Sequence, residues 1–334
     1  MSLFPRVSLA IPVHNEEAVV PELLRRVRAL LDALPGGPHS AVFVDDGSTD
    51  RTLESLERAA QEEARILVIA LSRNFGHQAA LTAALDYVDG DVTVVMDGDL
   101  QDPPEAVPQF VHKYLEGYDV VYAQRQNRKE SLLLRACYFI FYRLLASLSD
   151  IQLPVDAGDF GLMSRRVVEH LRKMPEHHRY LRGLRSWVGF RQIGLAVERS
   201  ERHAGESKYS ALRLLKLASD GIFAFSIVPI RAAALLGTAT IFASLLFVVY
   251  SLYAKIVLHH SPQGFTALIV ALTFLSGVLL LFLGIIGEYV GRVYEEVKGR
   301  PLYVVGRLIQ YGGESRGVGS PAAAAITLKQ TGNR

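Results

Sequence analysis

Residues 7–17 read VSLAIPVHNEE, an apolar run that ends in polar residues, and this pattern recurs along the first third of the chain. Three further apolar runs, SAVFVDD, RILVIAL and DVTVVMD, begin at residues 40, 65 and 91. Stretches with helical periodicity separate the runs, at about residues 16–34, 50–63 and 78–88, and PPEAVPQF is typical of a further helix start. Strands that alternate with helices predict a mostly parallel α/β sheet.

Polar side chains follow each predicted strand, at the edge of a parallel sheet where ligands bind. They are Asn15 and Glu16 after the first strand, Asp45, Asp46 and Ser48, around Gly47, after the second, Arg73 and Asn74 after the third, and Asp97 and Asp99 after the fourth. Neither a GxGxxG nor a GxxxxGK[ST] phosphate loop follows these strands, which argues against a Rossmann dehydrogenase and a P-loop NTPase. An acidic crevice that holds a diphosphate needs a cation.

The segment Asp97-Gly98-Asp99 is a candidate divalent-metal site. The spacing of two allows both carboxylates to face one side, and Gly98 permits a close approach of the chain. Mg²⁺ or Mn²⁺ binds a few carboxylates together with phosphate oxygens and water, so a nucleoside diphosphate would complete its coordination. The alternative interpretation is a solvated turn or a helix cap, and it applies equally to DDGSTD at residues 45–50.

Composition excludes several classes of protein. The chain has 334 residues, enough for about two domains, and its net charge of +2 is too balanced for a general nucleic-acid binder. Its one cysteine, Cys137, excludes an internal disulfide framework and a multi-cysteine metal site. The histidines at positions 77, 177, 178 and 203 show no metal-ligand spacing with cysteine and are interpreted as surface or supporting groups.

Two uncharged apolar stretches, Ala232–Ala254 and Phe265–Gly287, are separated by a short loop whose only formal charge is Lys255. Each exceeds the roughly 20 residues that a membrane helix needs, which predicts a two-helix transmembrane hairpin; a buried hairpin of a globular core is the alternative. The chain then divides into an N-terminal α/β domain (1–228), the hairpin (229–291) and a C-terminal tail (292–334), with disorder expected from residue 312.

Charges beside the hairpin predict its orientation. Basic residues stand outside both apolar stretches, at Arg231, Arg292, Lys298, Arg300 and Arg307. Because cytoplasmic flanks of membrane helices are enriched in Lys and Arg, both ends are expected on the cytoplasmic side. The N-terminus lacks the pattern of a secretory signal, so the α/β domain is expected there too.

Further segments suggest contact with the membrane surface and with other copies of the chain. Residues 131–147 and 209–225 mix apolar side chains with basic ones, which predicts amphipathic helices along the interface; a core helix is the alternative for the first. Gly277, Gly284 and Gly291 recur every seven residues and would permit close helix packing in a homo-oligomer, such as a tetramer.

Six motifs occur ahead of the hairpin, in the order IPVHNEE, VDDGSTD, SRNFGHQAAL, DGDLQDPPE, DAGDFGLMSRR and RHAGESKYS. Together they resemble the polyprenyl-phosphate sugar transferases of glycosyltransferase family 2, which include dolichyl-phosphate mannose synthase and bactoprenol glucosyltransferase. The resemblance implies a GT-A type, Rossmann-like sheet. It also implies a multi-pass enzyme of the bacterial inner membrane, with its catalytic domain on the cytoplasmic face. The expected reaction moves a hexose from a nucleotide sugar, UDP-glucose or a related UDP-hexose, to undecaprenyl phosphate with inversion.

The resemblance also implies roles for individual residues. The nucleotide-sugar pocket would contain Pro12, Asn15, Glu17, Asp46, Arg73, Asn74, Asp97 and Gln101. The metal would lie at Asp97 and Asp99, and the catalytic acids would be Asp99 and Asp159. The acceptor phosphate would contact Arg125, Arg135, Arg202, Ser207 and Lys208.

One position departs from the family pattern, because Gly161 follows the GDF segment where relatives usually carry an arginine. Either another cation takes that role, with Arg165 and Arg166 as the candidates, or the placement of the sugar differs. A phosphate monoester is largely ionised at neutral pH, since its second pKa is near 6. We therefore expect Asp159 to orient sugar hydroxyls, or to stabilise positive charge on the sugar ring, and not to remove a proton.

Two other functions fit parts of the sequence. A processive polysaccharide synthase would carry a Gln-x-x-Arg-Trp signature, whereas the only tryptophan, Trp187, lies in GLRSWVG. An inactive membrane scaffold with a transferase-like domain would not need an intact acid pair, and Asp97 and Asp99 are both present.

Overall fold

A computed structural model describes residues 4–125, 157–177, 179–197, 228–257 and 264–316. The predicted alternation is present in β1 Val7–Val13, α1 Val20–Ala33, β2 Ser40–Asp45, α2 Thr52–Glu62, β3 Ile66–Leu71, α3 His77–Tyr87, β4 Val92–Val95 and α4 Val107–Leu115. A 3₁₀ turn at Pro104–Ala106 precedes α4. The later elements are β5 Val120–Arg125, β6 Ala157–Ser164, α5 Arg165–Arg172, α6 Leu181–Trp187, β7 Gln192–Val197, α7 Val228–Ile256, α8 Phe265–Val297, β8 Val305–Gln310 and β9 Gly313–Arg316.

The strands form one sheet in the order β7-β5-β6-β4-β1-β2-β3-β8-β9. The four central strands, β4, β1, β2 and β3, run parallel, which confirms the predicted parallel α/β core. The sheet edges are mixed, because β6 is antiparallel to β4 and β8 is antiparallel to β3. The carboxyl ends of the central strands and the amino end of β6 therefore meet at one edge of the sheet.

The central strand β1 is buried along its whole length. Its odd-numbered residues belong to the main hydrophobic core, which also contains the apolar stripe of α1 and buried residues of α2 and α4. Proline is unusual in a central strand because it cannot donate a ladder hydrogen bond. Pro12 is accommodated because β4 pairs with β1 only as far as Ala10, and the backbone nitrogen of Pro12 lies on the side where β4 has ended.

The residues that follow α8 return to the sheet, which corrects the prediction of a simple C-terminal tail. β8 pairs with β3, and β9, at Gly313–Arg316, pairs with β8 where disorder was expected. The Tyr303 hydroxyl donates to Asp86 Oδ2 at 2.7 Å, and Arg307 forms an ion pair with Glu57 at 2.6 Å. Arg307 thus belongs to β8, between β3 and β9. A glycine-rich composition misled the prediction, because strand pairing orders these residues.

The chain divides into two compact units, and the described part of the second consists mainly of α7 and α8. Within α8, Phe274–Val297 is long and apolar enough to cross a membrane, with a mean hydropathy of 1.9, and none of its best window is buried in protein. In α7 the apolar segment that the structure describes, Ala233–Phe247, is shorter than a span. The two-helix hairpin therefore remains a prediction. The amphipathic stretches 131–147 and 209–225 lie outside the described residues.

The tight contact between β6 and β5 at Gly161 yields a stability prediction. A Cβ atom at Gly161 would lie 2.4 Å from the carbonyl oxygen of Val121, whereas one at Gly158 in the same strand would meet nothing closer than 3.7 Å. We expect Gly161→Ala to lower the free energy of unfolding by about 1–3 kcal/mol, because the strands must separate. Thermal unfolding should show a smaller effect for Gly158→Ala, and equal effects would contradict this reading of the contact.

Candidate functional site

The acid pair Asp97 and Asp99 lies on a tight turn directly after β4. A Cβ atom at Gly98 would lie 2.5 Å from Val13 Cγ1, so only glycine lets the end of β1 pack this closely against the turn. The backbone N–H of Gln101 donates to Asp99 Oδ1 at 3.1 Å, which holds the carboxylate of Asp99 at the turn. This is where the sequence placed the pair, at the carboxyl edge of the parallel strands.

The acid pair suits a divalent cation whose other ligands come from a substrate. Asp97 is partly buried, with 29% of its side chain exposed, and both aspartates lie at the open end of the sheet. Within the described ranges, no cluster of three or more His, Cys, Asp or Glu side chains could hold a metal alone. Two carboxylates with diphosphate oxygens and water match the preferred coordination of Mg²⁺.

Asp159 enters the same cleft from the amino end of β6, beside Asp97. Asp97, Asp102 and Asp159 line one small cavity of about 20 Å³, together with Arg182 of α6. Arg182 donates two hydrogen bonds to Asp159, from Nε to Oδ1 at 2.7 Å and from Nη2 to Oδ2 at 2.8 Å. Burial alone would raise the pKa of the Asp159 carboxyl, but the charge and hydrogen bonds of Arg182 outweigh burial and lower that pKa to about 2.

A second arginine lies behind this ion pair. Arg185 is 2% exposed, donates to the carbonyl oxygen of Gly158 at 3.3 Å, and stacks 5.4 Å from the ring centre of Tyr122. Burial lowers the pKa of Arg185 to about 10, against the opposing effect of Asp159, so the guanidinium stays charged at neutral pH. The cation beside Asp159 is therefore supplied by α6.

The structure corrects the expectation that Arg165 or Arg166 supplies this cation. Both follow the far end of β6, where Arg166 pairs with Asp119 and Arg165 with Glu169. Sequence reasoning missed Arg182 because the ion pair joins residues 23 positions apart. The only sequence signal is the density of arginines in HHRYLRGLR at 177–185, which does not single out one of them.

His77, the first residue of α3, was interpreted as a surface or supporting group, but it lies between the two acids. Its Nε2 atom is 3.6 Å from Asp97 Oδ1 and 3.9 Å from Asp159 Oδ2, and 44% of its side chain is exposed. Its membership in the SRNFGHQAAL motif, directly after the third strand, was the signal that could have found it.

Asp46 holds the loop between β3 and α3 in place. It is 3% exposed, and its carboxylate accepts the backbone N–H groups of Phe75 and Gly76 at 2.7 and 2.9 Å. The side chain of Asn74 lies 3.2 Å from Nε2 of His14, whose Nδ1 lies 2.9 Å from the carbonyl oxygen of Asp46. The predicted pocket residues Asp46 and Asn74 thus belong to one hydrogen-bonded loop cluster.

Asn15 and Glu17 join the loop after β1 to the loop after β2. Asn15 adopts a left-handed conformation, with φ of 54°, and its side-chain oxygen accepts the backbone N–H of Thr49 at 2.8 Å. Glu17 Oε2 accepts the backbone N–H of Arg51 at 3.3 Å. These side chains remain exposed, so the braced loops form a polar surface at the carboxyl ends of β1 and β2.

The third loop adds a cation to this surface. Arg73 is exposed, donates to the carbonyl oxygen of Asn74 at 2.9 Å, and lies 4.0 Å from the ring centre of Phe75. Of the predicted acceptor residues, Arg125 is the last residue of β5, paired in register with Val197. The others, Arg135, Arg202, Ser207 and Lys208, lie outside the described residues.

Comparisons with known proteins match this arrangement to one family. Residues 8–172 match the family model described as Glycosyl transferase family 2. The uncharacterized glycosyltransferase YkcC of Bacillus subtilis is 42% identical over 95% of this chain and 97% of its own length. The SfII prophage-derived bactoprenol glucosyl transferase of Shigella flexneri is 36% identical over 90% of this chain and 97% of its own length.

Solved structures also resemble the chain. Mannosyltransferase PcManGT from Pyrobaculum calidifontis, in complex with GDP-Man and Mn²⁺, is 20% identical with a TM-score of 0.47, covering 89% of this chain and 86% of that one.

The ion pair in the cleft predicts how stability depends on pH. Arg182→Met leaves Asp159 buried without its cation, so we expect the free energy of unfolding at pH 7 to fall by about 2 kcal/mol or more. In the wild type, the pKa of Asp159 is lowered, so the ion pair contributes fully to the free energy of unfolding above about pH 4. This contribution is lost only as the pH falls through about 2. In the variant, burial raises that pKa, so the deficit relative to wild type should narrow as the pH falls from 7 to about 4.5.

Thermal unfolding of the detergent-solubilised protein across this pH range measures the deficit. Arg165→Met is the matched control, because Arg165 forms an exposed pair with Glu169 and should change stability little. A deficit that stays constant with pH, or one no larger than that of Arg165→Met, would contradict the assigned ion pair.

Proposed function

Because the chain belongs to glycosyltransferase family 2, we propose that it transfers a hexose from a nucleoside diphosphate sugar to polyprenyl phosphate, with inversion at the anomeric carbon. The observation that carries the proposal is the cleft that Asp97 lines together with Asp159 and its partner Arg182, with Asp99 on the same turn as Asp97. The name of the bactoprenol glucosyl transferase of Shigella flexneri supports a polyprenyl acceptor and a glucosyl group, and we propose undecaprenyl phosphate as the acceptor and UDP-glucose, or a related UDP-hexose, as the donor.

The braced loops after β1, β2 and β3 are the proposed nucleotide site. Asn15, Glu17, Arg73 and Asn74 present exposed polar groups that hydrogen-bond a base or a ribose. Asp46 and Pro12 are buried and act by shaping the loops. Gln101 follows the acid pair, its backbone N–H donates to Asp99, and its side chain would lie near the diphosphate.

The diphosphate requires positive charge at the acid pair. Asp97 and Asp99 would hold Mg²⁺ or Mn²⁺, which when bound neutralises charge on the leaving diphosphate. The turn around Gly98, fixed by the end of β1 and by the N–H of Gln101, keeps the two carboxylates in position before substrate arrives.

The reaction needs no strong base. An oxygen of the acceptor phosphate supplies the electron pair for the new bond to the anomeric carbon, and the bond from that carbon to the diphosphate oxygen breaks with its electrons. No proton is transferred, because the acceptor phosphate is largely ionised at neutral pH. Asp159 has a pKa of about 2 and already accepts two hydrogen bonds from Arg182, so it is a weak base. It orients sugar hydroxyls and stabilises positive charge on the sugar ring.

The acceptor explains why a sugar transferase carries apolar helices. The tail of a polyprenyl phosphate lies in the bilayer, whereas its phosphate lies at the surface. We propose that α7 and α8 anchor the enzyme as a multi-pass protein of the bacterial plasma membrane, with the α/β unit on the cytoplasmic face. Arg125, Arg135, Arg202, Ser207 and Lys208 would bind the acceptor phosphate through charged and neutral donors. Assembly of several copies through the α8 glycines stays a prediction.

The decisive test supplies the full-length protein, in lipid nanodiscs, with undecaprenyl phosphate and a panel of UDP- and GDP-sugars. We expect one lipid product whose mass is that of undecaprenyl phosphate plus one hexosyl residue (a hexose minus one water), formed from a UDP-hexose with release of UDP. Asp99→Ala and EDTA treatment should both abolish it, and Asp99→Ala should also weaken Mn²⁺ binding in the presence of UDP. Full turnover in EDTA would contradict the proposed metal site at Asp97 and Asp99. A wild-type protein that forms no lipid-linked sugar would overturn the proposed function.

Asp159→Asn tests the role given to this acid. We expect kcat to fall by a factor on the order of 10²–10³. The factor should be the same from pH 6 to pH 8.5, because the carboxylate is not the proton acceptor. Recovery of the variant at high pH would instead identify Asp159 as the base.

A further inference from the structure

His77 lies between two acids of the cleft, Asp97 and Asp159. Its Nε2 atom lies 3.6 Å from Asp97 Oδ1 and 3.9 Å from Asp159 Oδ2, so it stands between the acid assigned to the diphosphate and the acid assigned to the sugar. The bond that breaks joins those two parts of the donor. The imidazole therefore lies beside the place where the sugar and its leaving phosphate would meet.

The distances show that His77 does not hold either acid tightly. Both exceed the length of a good N–H···O hydrogen bond, which is about 2.7–3.2 Å. Asp159 is fixed by Arg182 on both carboxylate oxygens, and the backbone at Asp97 is held by the carboxylate of Asp102 at 3.4 Å. The side chain of His77 is 44% exposed and opens toward solvent, where a substrate could replace water.

The geometry points to His77 as a further catalytic residue, whose Nε2–H donates a hydrogen bond to the phosphate that is linked to the sugar. The inference rests on the proposed function, because it requires a nucleoside diphosphate sugar in the cleft. Nε2 carries a proton in the imidazolium and in one neutral tautomer, so no change of protonation is needed.

The contribution follows from where charge develops. As the bond from the anomeric carbon to the phosphate oxygen breaks, both electrons move to that oxygen and the phosphate gains negative charge. His77 keeps its proton throughout, and its N–H stabilises the leaving phosphate more strongly in the transition state than in the bound donor. Removal of one such donor lowers kcat by a factor on the order of 10² in comparable sites.

The test compares full-length wild type, His77→Ala, His77→Gln and His112→Ala in nanodiscs. His112 is the matched control, because it lies on α4 with 74% of its side chain exposed. Initial rates of sugar transfer and of donor hydrolysis by water give kcat and KM, and calorimetry gives the Kd of the donor. We expect kcat of His77→Ala to fall about 100-fold, with donor Kd within about threefold of wild type.

The kcat of His77→Gln should be at least tenfold higher than that of His77→Ala, since the side-chain amide of glutamine places an N–H near the position of Nε2. His112→Ala should match wild type. The inference is overturned if kcat of His77→Ala stays within twofold, if only KM and Kd change, or if His77→Gln is no faster than His77→Ala. Unfolding temperatures of the variants separate loss of fold from loss of chemistry.

The measurements on the wild type distinguish failure of the proposed function from failure of the proposed role of His77. If the wild type hydrolyses the donor but does not transfer the sugar to undecaprenyl phosphate, the proposed acceptor is wrong. The rates of donor hydrolysis by the variants would then still test the role of His77. A wild type that consumes no nucleotide sugar would overturn both.

Discussion

Carboxylates crowd one end of this sheet, and their mutual repulsion is the constraint that the rest of the site must offset. Asp97, Asp102 and Asp159 line the same cavity, with Asp99 on the adjoining turn. Burial alone acts against the ionised form of Asp159, because it removes the carboxylate from water. The two hydrogen bonds from Arg182 keep Asp159 ionised instead. Asp97 and Asp99 are the carboxylates at which we propose a cation bound together with a diphosphate.

The sheet topology explains how these acids meet. Asp97 and Asp99 follow the carboxyl end of β4, and Asp159 lies near the amino end of β6. These ends coincide only because β6 runs antiparallel to β4, with Val95 paired to Gly161. A glycine at this pairing lets β5 approach from the other side, where a side chain would collide with the Val121 carbonyl. Gly161 is therefore a packing requirement of the pairing between β5 and β6, and α6 provides the cation beside Asp159.

Sequence reasoning succeeded where the signal is local. The apolar runs that become β1 to β4, and the turn at Asp97-Gly98-Asp99, follow from periodicity and residue type. It failed where residues meet through the tertiary fold. The pairing of Arg182 with Asp159 depends on how α6 packs, which no local pattern reports. For His77 the motif gives the strand end, but the distances to Asp97 and Asp159 come only from the fold. The return of β8 to β3 was missed for the same reason, because its partner lies more than 200 residues earlier in the chain.

The return of β8 to the sheet also constrains how many times the chain between the two attachments can cross a membrane. The strands before residue 125 and the strand at Val305–Gln310 belong to one hydrogen-bonded sheet, so the chain leaves this folded unit and comes back to it. A folded sheet cannot straddle a hydrocarbon layer, because its loops and unpaired edge groups would lose their water. Any bilayer must then be traversed an even number of times between the two attachments. If α8 makes one passage, parity demands a partner passage elsewhere in the intervening chain, and α7, at Val228–Ile256, is the helix that directly precedes α8 among the described residues.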